Sequence, residues 1–345
     1  MNIRVGILTA PHIEFEQRET TFVLKNVRIG IGFHWDRHED QEFDGELEIR
    51  NNPDSTQTAI NTIDLEDYLC SVISSEMSAN SPMELLKAHA VISRSWAIRA
   101  MDHPNHEGFH VCADDHCQRY EGLRRINERA VEAVRATKGQ VLMYDNTVCD
   151  CRYYKCCGGR TEIWRTCWED IDVPYIQSVP CDWCKSPSPK VLRLVLNDYD
   201  QETKDFRDWQ VTYTADELSE IIRTKSGIDF GEIIDLIPLK RGASGRIYEL
   251  KIVGTKRTEI IGKELKIRLW LSKSCLYSSW FEVEKSFSSP ARGGREGIFH
   301  LTGHGWGHGA GLCQIGAAVM ASEGKTYEEI LQYYYHGARL GVAAQ

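Results

Sequence analysis

Apolar positions follow helical spacing in two neighbouring stretches. Leu65, Tyr68, Leu69, Val72, Ile73 and Met77 form one stripe, which predicts an amphipathic helix with a packed face. Asp64 is placed to cap it, and Glu66 and Asp67 fall in the first turn, beside the positive end of the helix dipole. Ser81-Pro-Met-Glu84 opens a second helix as a capping box with proline at its first position. Leu85, Ala88, Ile92 and Trp96 share one of its faces, and Val91 and Ile98 lie on another. A helix apolar nearly all round is buried. A third helix is expected over Asn127 to Thr137, stopping before Gly139.

Elsewhere the pattern is shorter. Residues 1 to about 60 read as strands with polar turns, such as Thr21-Phe-Val-Leu and Glu46-Leu-Glu-Ile. Residues 140 to 184 read as strands interrupted at Gly158-Gly159. Between residues 190 and 285, a helix near Ala215 to Thr224 joins strands near Glu249 to Val253 and Leu265 to Leu271. A small-residue helix, Leu312 to Ser322, ends at Gly324, and Thr326-Tyr-Glu-Glu329 caps the last one. Meandering strands beside separate helices predict an α+β fold, a helical core with mixed, mainly antiparallel sheet segments. The expected division is a β-rich segment over residues 1–60 and a domain over 61–345 with a mixed α/β insertion at about 190–290.

The 345 residues carry a net charge of −9 with scattered basic residues, which argues against nucleic acid as a partner. No run approaches the ~18–20 apolar residues of a membrane span. The start, Met-Asn-Ile-Arg-Val-Gly-Ile-Leu, has no signal-peptide apolar region. The chain is therefore cytoplasmic or lacks its export signal. Twelve cysteines are many for a reducing compartment. Cys112 and Cys117 form one group, Cys149, Cys151, Cys156, Cys157, Cys167, Cys181 and Cys184 a second, and Cys70, Cys275 and Cys313 stand apart. Disulfides or metal sites both fit such clusters.

One carboxylate breaks the pattern. At about 100° per residue, Glu76 falls in line with Leu65, Leu69 and Val72. It either leaves the core in a frayed last turn or sits in an apolar wall, where desolvation raises its pKa. A protonated carboxyl near neutral pH suits general-acid cleavage of a glycosidic bond. Lys87 and Arg94 project the same way from the second helix, about 10 Å apart. They either pair with structural carboxylates or line an anionic cleft beside Glu76. His89 lies with Leu85 and Trp96, as a hydrogen-bonded core histidine would.

Two further segments carry candidate chemistry. Gly303-His-Gly-Trp-Gly-His-Gly-Ala-Gly311 leaves two histidines and a tryptophan on a backbone nearly free of side chains. Such a segment suits a binding floor, where a ligand lies against main-chain N–H groups. His106-Glu-Gly-Phe-His-Val-Cys-Ala-Asp-Asp-His116-Cys117 packs thiols and imidazoles into one polar loop. Two Cys and two His would make a closed, structural zinc site. His110 could replace either His106 or His116, and a Cys112–Cys117 disulfide is the alternative. Cys181-Asp-Trp-Cys184 with Cys167 and Cys156 or Cys157 reads as buried thiols or disulfides ahead of a second metal site.

Several of these motifs converge. Glu66-Asp-Tyr-Leu-Cys-Ser-Val-Ile-Ser-Ser-Glu76-Met and Leu85-Leu-Lys-Ala-His-Ala-Val-Ile-Ser-Arg-Ser-Trp96 resemble the signature helices of the sporulation protein D and amidase-enhancer family. The likeness continues through Gly158-Gly-Arg-Thr-Glu162, Ser244-Gly-Arg246, the Gly303–Ala317 stretch and Tyr333-Tyr-Tyr. It implies a lytic transglycosylase acting outside the cytoplasm on peptidoglycan glycan strands. Glu76 would be its acid/base, with Lys87 and Arg94 supporting it. His304, Trp306, His308 and Gln314 would hold sugar, with Trp306 as a stacking face. Structural Zn²⁺ would sit on His106, Cys112, His116 and Cys117, and a cell-wall amidase is an implied partner. The competing reading is a wall-binding enhancer that cuts nothing. Cys313, His336 and His89 stand where the family commonly has serine, proline and glutamine, which leaves substrate preference open.

Overall fold

The structure is a computed structural model. It describes all residues except 33–35, 79, 186, 198–199, 201–206, 288–296 and 344–345. Asp64 accepts the Glu66 amide at 2.9 Å and caps α1, Leu65–Glu76. α2 covers Met83–Asp102. The expected capping box does not form there. The Ser81 hydroxyl bonds Leu194 O, Glu84 is taken by Lys87 and the Tyr327 amide, and Pro82 occupies the cap position. α3, Glu128–Ala136, is capped by Asn127. Two short helices follow, α4 at Trp164–Cys167 and α5 at Pro189–Val195.

In α6, Ala215–Ser226, Thr214 and Glu217 form a reciprocal capping box. α7, Glu264–Trp270, stands where alternating apolar residues predict a strand. Ile267 and Leu271 are buried while Leu265 and Leu269 are exposed. The buried face therefore has helical spacing, and the remaining leucines only imitate a period of two. α8 is Gln314–Ser322 and α9, capped by Thr326, is Tyr327–Tyr334.

The sheets are small and mostly antiparallel, as an α+β fold requires. Asn2–Ala10 pairs with Gln57–Asp64, which pairs with Glu46–Asn51. Thr21–Ile29 lies between Phe15–Gln17 and Arg37–Asp44. Gly297–His304 lies between Asp208–Thr214 and Phe281–Phe287. Ile247–Gly254 lies between Ile233–Arg241 and Thr258–Ile261. Gln140–Tyr144 pairs with Thr147–Val148 and Arg339–Val342. Among the described strands two short pairings are parallel, Val5-Gly6 with Val111-Cys112 and Tyr153-Tyr154 with Leu312-Cys313, and a single parallel bridge joins Glu162 to Ala310.

Two hydrophobic clusters fill the interior. The larger joins Ile3, Val5 and Phe22 to Tyr68, Leu69, Val91, Ile92 and Leu331, so the N-terminal strands and the central helices share one core. The smaller is built from residues 209–301, including Leu218, Ile252 and Phe299. On that distribution we propose that the insertion at about 190–290 is a subdomain within the 61–345 unit; its end near 290 lies outside the described residues. No described helix is long and apolar enough to cross a membrane.

Arg94 is 1% exposed and pins three helices together. Its guanidinium forks onto Glu66 of α1 at 2.9 and 2.7 Å and reaches Val134 O in α3 and Gln140 O. Removing one partner of such a pair strands the other charge. Glu66→Ala should lower unfolding stability by about 3 kcal/mol in urea titration. An apolar double replacement, Glu66→Leu with Arg94→Met, should recover most of that loss.

Candidate active site and thiol-rich loop

α1 ends at Glu76, whose side chain is partly buried. Two donors hold Oε1: the Arg119 amide at 3.0 Å and the Tyr153 hydroxyl at 2.9 Å. Oε2 has no partner among the described residues. Burial pushes the carboxyl's pKa up; the Arg119 charge works against this and Asp115 adds to it. Burial, with Glu76 beside it, also raises the Tyr153 phenol, so the hydroxyl remains a donor.

The cations at Glu76 are Arg119 and Lys155, which the sequence reading did not single out. Arg119 pairs with Asp115 at 2.8 Å. Lys155 bonds the Glu76 carbonyl at 3.2 Å and the buried Asp200 at 2.6 Å. Nothing in local periodicity marks these residues, because loops and a two-residue strand bring them in. Arg94 instead belongs to Glu66, ten residues away along α1 and so about 15 Å along its axis. Lys87 pairs with Glu84 at 2.8 Å and lies over the Tyr327 ring. Neither cation touches Glu76, so both are structural in this conformation.

The glycine-rich stretch differs from the expected bare floor. Gly305, Gly307, Gly309 and Gly311 all have positive φ, but their missing side chains make room for protein. A Cβ at Gly311 would stand 2.0 Å from Arg152 O, and one at Gly309 2.6 Å from the Arg246 guanidinium. The main chain is occupied as well. Gly305 N, Trp306 N and Gly307 N donate to Arg207 O, Cys156 O and Tyr277 O. Trp306 is 7% exposed, its ring against Tyr277, so it presents no sugar-stacking face here.

His308 donates from Nε2 to Tyr153 O at 3.0 Å and accepts the Ala310 amide on Nδ1 at 3.1 Å. Burial pushes its pKa well down, so it is a neutral brace for Tyr153. Gln314 is buried and bonds His89 Nε2 at 3.0 Å, and the His89 ring packs on Tyr153 at 4.3 Å. Burial lowers His89 to about 3, which keeps that ring neutral too. Four predicted elements (α1, α2, the loop and α8) thus converge on Tyr153, with Gln314 and His308 behind it. His304 stands apart, 2.7 Å from Asp208 and 40% exposed, so it is the loop histidine open to a ligand.

The separated motifs around Glu162 and Ser244 also meet. The fully buried Glu162 carboxylate accepts from Ile163 N, Thr166 Oγ1, Ala243 N, Ser244 N and Ser244 Oγ. Arg246 then reaches Gly307 O and Cys157 O. This latch ties the second core to the glycine loop.

In the thiol-rich loop, His106, Cys112, His116 and Cys117 place one ligand atom each within 4.8 Å of all the others. His106 Nε2 is 3.2 Å from Cys117 Sγ, and His116 Nδ1 is 3.5 and 3.8 Å from Cys117 Sγ and Cys112 Sγ. A tetrahedral zinc with Zn–S of ~2.3 Å sets its ligands about 3.3–3.8 Å apart, so this donor set fits the ion. His110 is excluded, since its Nδ1 accepts the Arg4 amide at 3.0 Å. The loop runs straight into Asp115 and Arg119, so its geometry sets the donor on Glu76. A separate cavity of about 450 Å³ is lined by Asp64, Glu66, Asp67, Cys70 and Ser71 with Arg135 and Lys138, and does not include Glu76.

Residues 53–144 match the family model described as stage II sporulation protein, and residues 162–311 match a domain of unknown function. An uncharacterized protein of Brachyspira hyodysenteriae is 30% identical over 283 residues, covering 82% of this chain and 68% of that one. Stage II sporulation protein D of Bacillus subtilis is 28% identical over 304 residues, covering 83% and 76%. The amidase enhancer of the same organism is 26% identical over 301 residues, covering 78% of this chain but 39% of the enhancer.

If the loop glycines serve packing, adding one methyl group should be costly. Gly311→Ala combines a positive φ with a clash on a main-chain oxygen and should lose about 2–4 kcal/mol by urea denaturation. Gly324→Ala has the same backbone sign, φ 90°, with nothing within 4 Å, and should lose only about 1 kcal/mol.

Proposed function

The chain belongs to the stage II sporulation protein D and amidase-enhancer family, whose work concerns the cell wall, and from that premise we propose that it is a lytic transglycosylase of peptidoglycan. The observation that carries this reading is the Glu76 carboxyl: its pKa pushed up by burial, fixed through Oε1, and free at Oε2 among the described residues.

In the proposed reaction, glycan lies over the end of α1. Glu76 donates its proton from Oε2 to the oxygen joining N-acetylmuramic acid to N-acetylglucosamine. The bond from muramyl C1 to that oxygen breaks through an oxocarbenium-like state. Arg119, Lys155 and the two Oε1 donors stabilise the carboxylate so formed. Glu76 then takes the proton of the muramyl C6 hydroxyl, whose oxygen bonds C1. The products are a free 4-hydroxyl and a 1,6-anhydro end. No water is consumed, so no second carboxylate is required. His304, beside the mouth of the glycine loop, is the sugar-binding candidate; Lys87, Arg94, Trp306, His308 and Gln314 act through the scaffold.

Zinc, when bound by His106, Cys112, His116 and Cys117, would supply a closed structural clamp. This chain's own residues then do the rest: the clamped loop presents the Arg119 amide and the Asp115–Arg119 pair to Glu76. The similarity to an amidase enhancer supports a second reading, in which the protein binds wall and activates an amidase without cutting. Activity in either form places the protein outside the cytoplasm.

Glu76→Gln should abolish new anhydromuropeptide ends from purified glycan strands, scored by mass spectrometry, while strand binding persists. Anhydro ends from the variant would overturn the mechanism; binding without cleavage by the wild type would establish the enhancer reading.

The raised carboxyl sets a pH signature. The folded protein binds the Glu76 proton more tightly than the unfolded chain. Its contribution to stability is present below the ordinary glutamate range and lost as pH rises through the raised value. The acid-catalysed rate should fall over that same upper window. Glu76→Gln should therefore melt higher than wild type at alkaline pH and lose this advantage in acid, as read by calorimetry.

Cys117→Ser should lose the zinc of this loop by elemental analysis and lower turnover at least tenfold. Unchanged turnover in a folded variant lacking that zinc would show that the loop does not position Arg119.

A further inference from the structure

Four cysteines from three stretches of chain meet in the interior, away from the first thiol group. Cys157 precedes the Gly158-Gly159 turn, Cys181 and Cys184 bracket one 3₁₀ turn, and Cys313 caps α8. All four are 0% exposed. Their Sγ atoms lie within 4.8 Å of one another. Cys167, expected to share this site, instead points its thiol at His308 O, and Cys313, expected to stand alone, takes its place. The spacing around Cys181 and Cys184 is legible locally, whereas the fourth member arrives only through the parallel pairing of Cys313 with Tyr154.

A single tetrahedral ion with metal–sulfur bonds of ~2.3 Å needs sulfurs about 3.8 Å apart. The four thiols lie inside one 4.8 Å limit, with Cys157 Sγ 3.0 Å from Cys184 Sγ, so a small outward shift of that pair admits one ion, whereas a cluster of several irons would spread them further.

The surroundings suit thiolates. Cys313 Sγ accepts the Cys157 and Gly316 amides at 3.3 and 3.4 Å, and Cys157 Sγ accepts the Gly159 amide at 3.4 Å. Such donors stabilise metal-bound sulfur, and the N-terminus of α8 adds its positive end. Gly316 keeps the space clear, since a Cβ there would stand 2.6 Å from Cys181 Sγ.

We propose that Cys157, Cys181, Cys184 and Cys313 form a second, closed tetrathiolate site for one Zn²⁺. The site welds the Gly158 turn, the Cys181–Cys184 turn and α8 into one unit. It also braces the short strand of Tyr153 and the Lys155 that follows it, because Ile315 N bonds Lys155 O at 3.1 Å beside Cys313. Its role is positioning and does not depend on which reaction Glu76 performs.

Elemental analysis of the purified full chain should find one more zinc equivalent than the His106–Cys117 loop can hold. Cys181→Ser with Cys184→Ser should lose one equivalent and keep the other, whereas Cys117→Ser should lose the complementary one. If the double variant fails to fold, exchange of Co²⁺ into the wild type decides. Six cobalt–thiolate bonds in place of two should give about threefold the sulfur-to-cobalt charge-transfer absorbance of the first site alone. A cobalt signal from the first site only, or mass spectrometry without reductant showing these four cysteines in disulfides, overturns the proposal.

Discussion

The geometry of the candidate site depends on the pair of hydrogen bonds to Glu76 Oε1. A carboxyl at a helix end in an apolar wall has two physical outcomes: it swings out to water, or fixed donors hold it in place. Here a main-chain amide and a phenol hold it. Burial pushes the carboxyl's pKa up, while the Arg119 amide that orients it and the nearby Arg119 and Lys155 charges pull the other way. The nearby guanidinium and ammonium are each committed to an acidic partner, Asp115 and Asp200. Their net pull on the carboxyl is thereby moderated, while both charges remain beside it.

Both donors are held from a distance. The Arg119 amide belongs to the segment leaving the thiol-rich loop, and Tyr153 belongs to a two-residue strand. So short a strand has little stability of its own. It is pinned by Leu312-Cys313 alongside it, by His308 on its carbonyl and by His89 behind its ring. The histidine-bearing loop therefore serves Glu76 through Tyr153. Both inner imidazoles are kept neutral by burial, which avoids placing a further cation against the acid.

Two groups of sulfurs flank the segments that carry these donors. One lies in the loop that leads to Arg119, and the other gathers Cys157, Cys181, Cys184 and Cys313 beside the strand of Tyr153. The latch of Glu162 on the Ala243-Ser244 turn extends the bracing to the second core. Donors carried on loops need such bracing, because sites built on loops are held less sharply than sites on helices and strands.

The sequence by itself determined the α+β class, the helix α1 with its Asp64 cap, the alignment of Glu76 with an apolar face, and the crowding of thiols and imidazoles into the His106–Cys117 loop. Each of these is local, written in spacings of three, four or eleven residues along one segment. Tertiary structure decided everything that needs two segments. It gave Arg94 to Glu66 and Lys87 to Glu84, because a cation's partner depends on which helix packs opposite. It brought Arg119, Tyr153 and Lys155 to the acid from segments without periodicity. It turned the glycines inward, since a bare backbone fits a ligand or a neighbouring chain equally well, and only packing chooses between them.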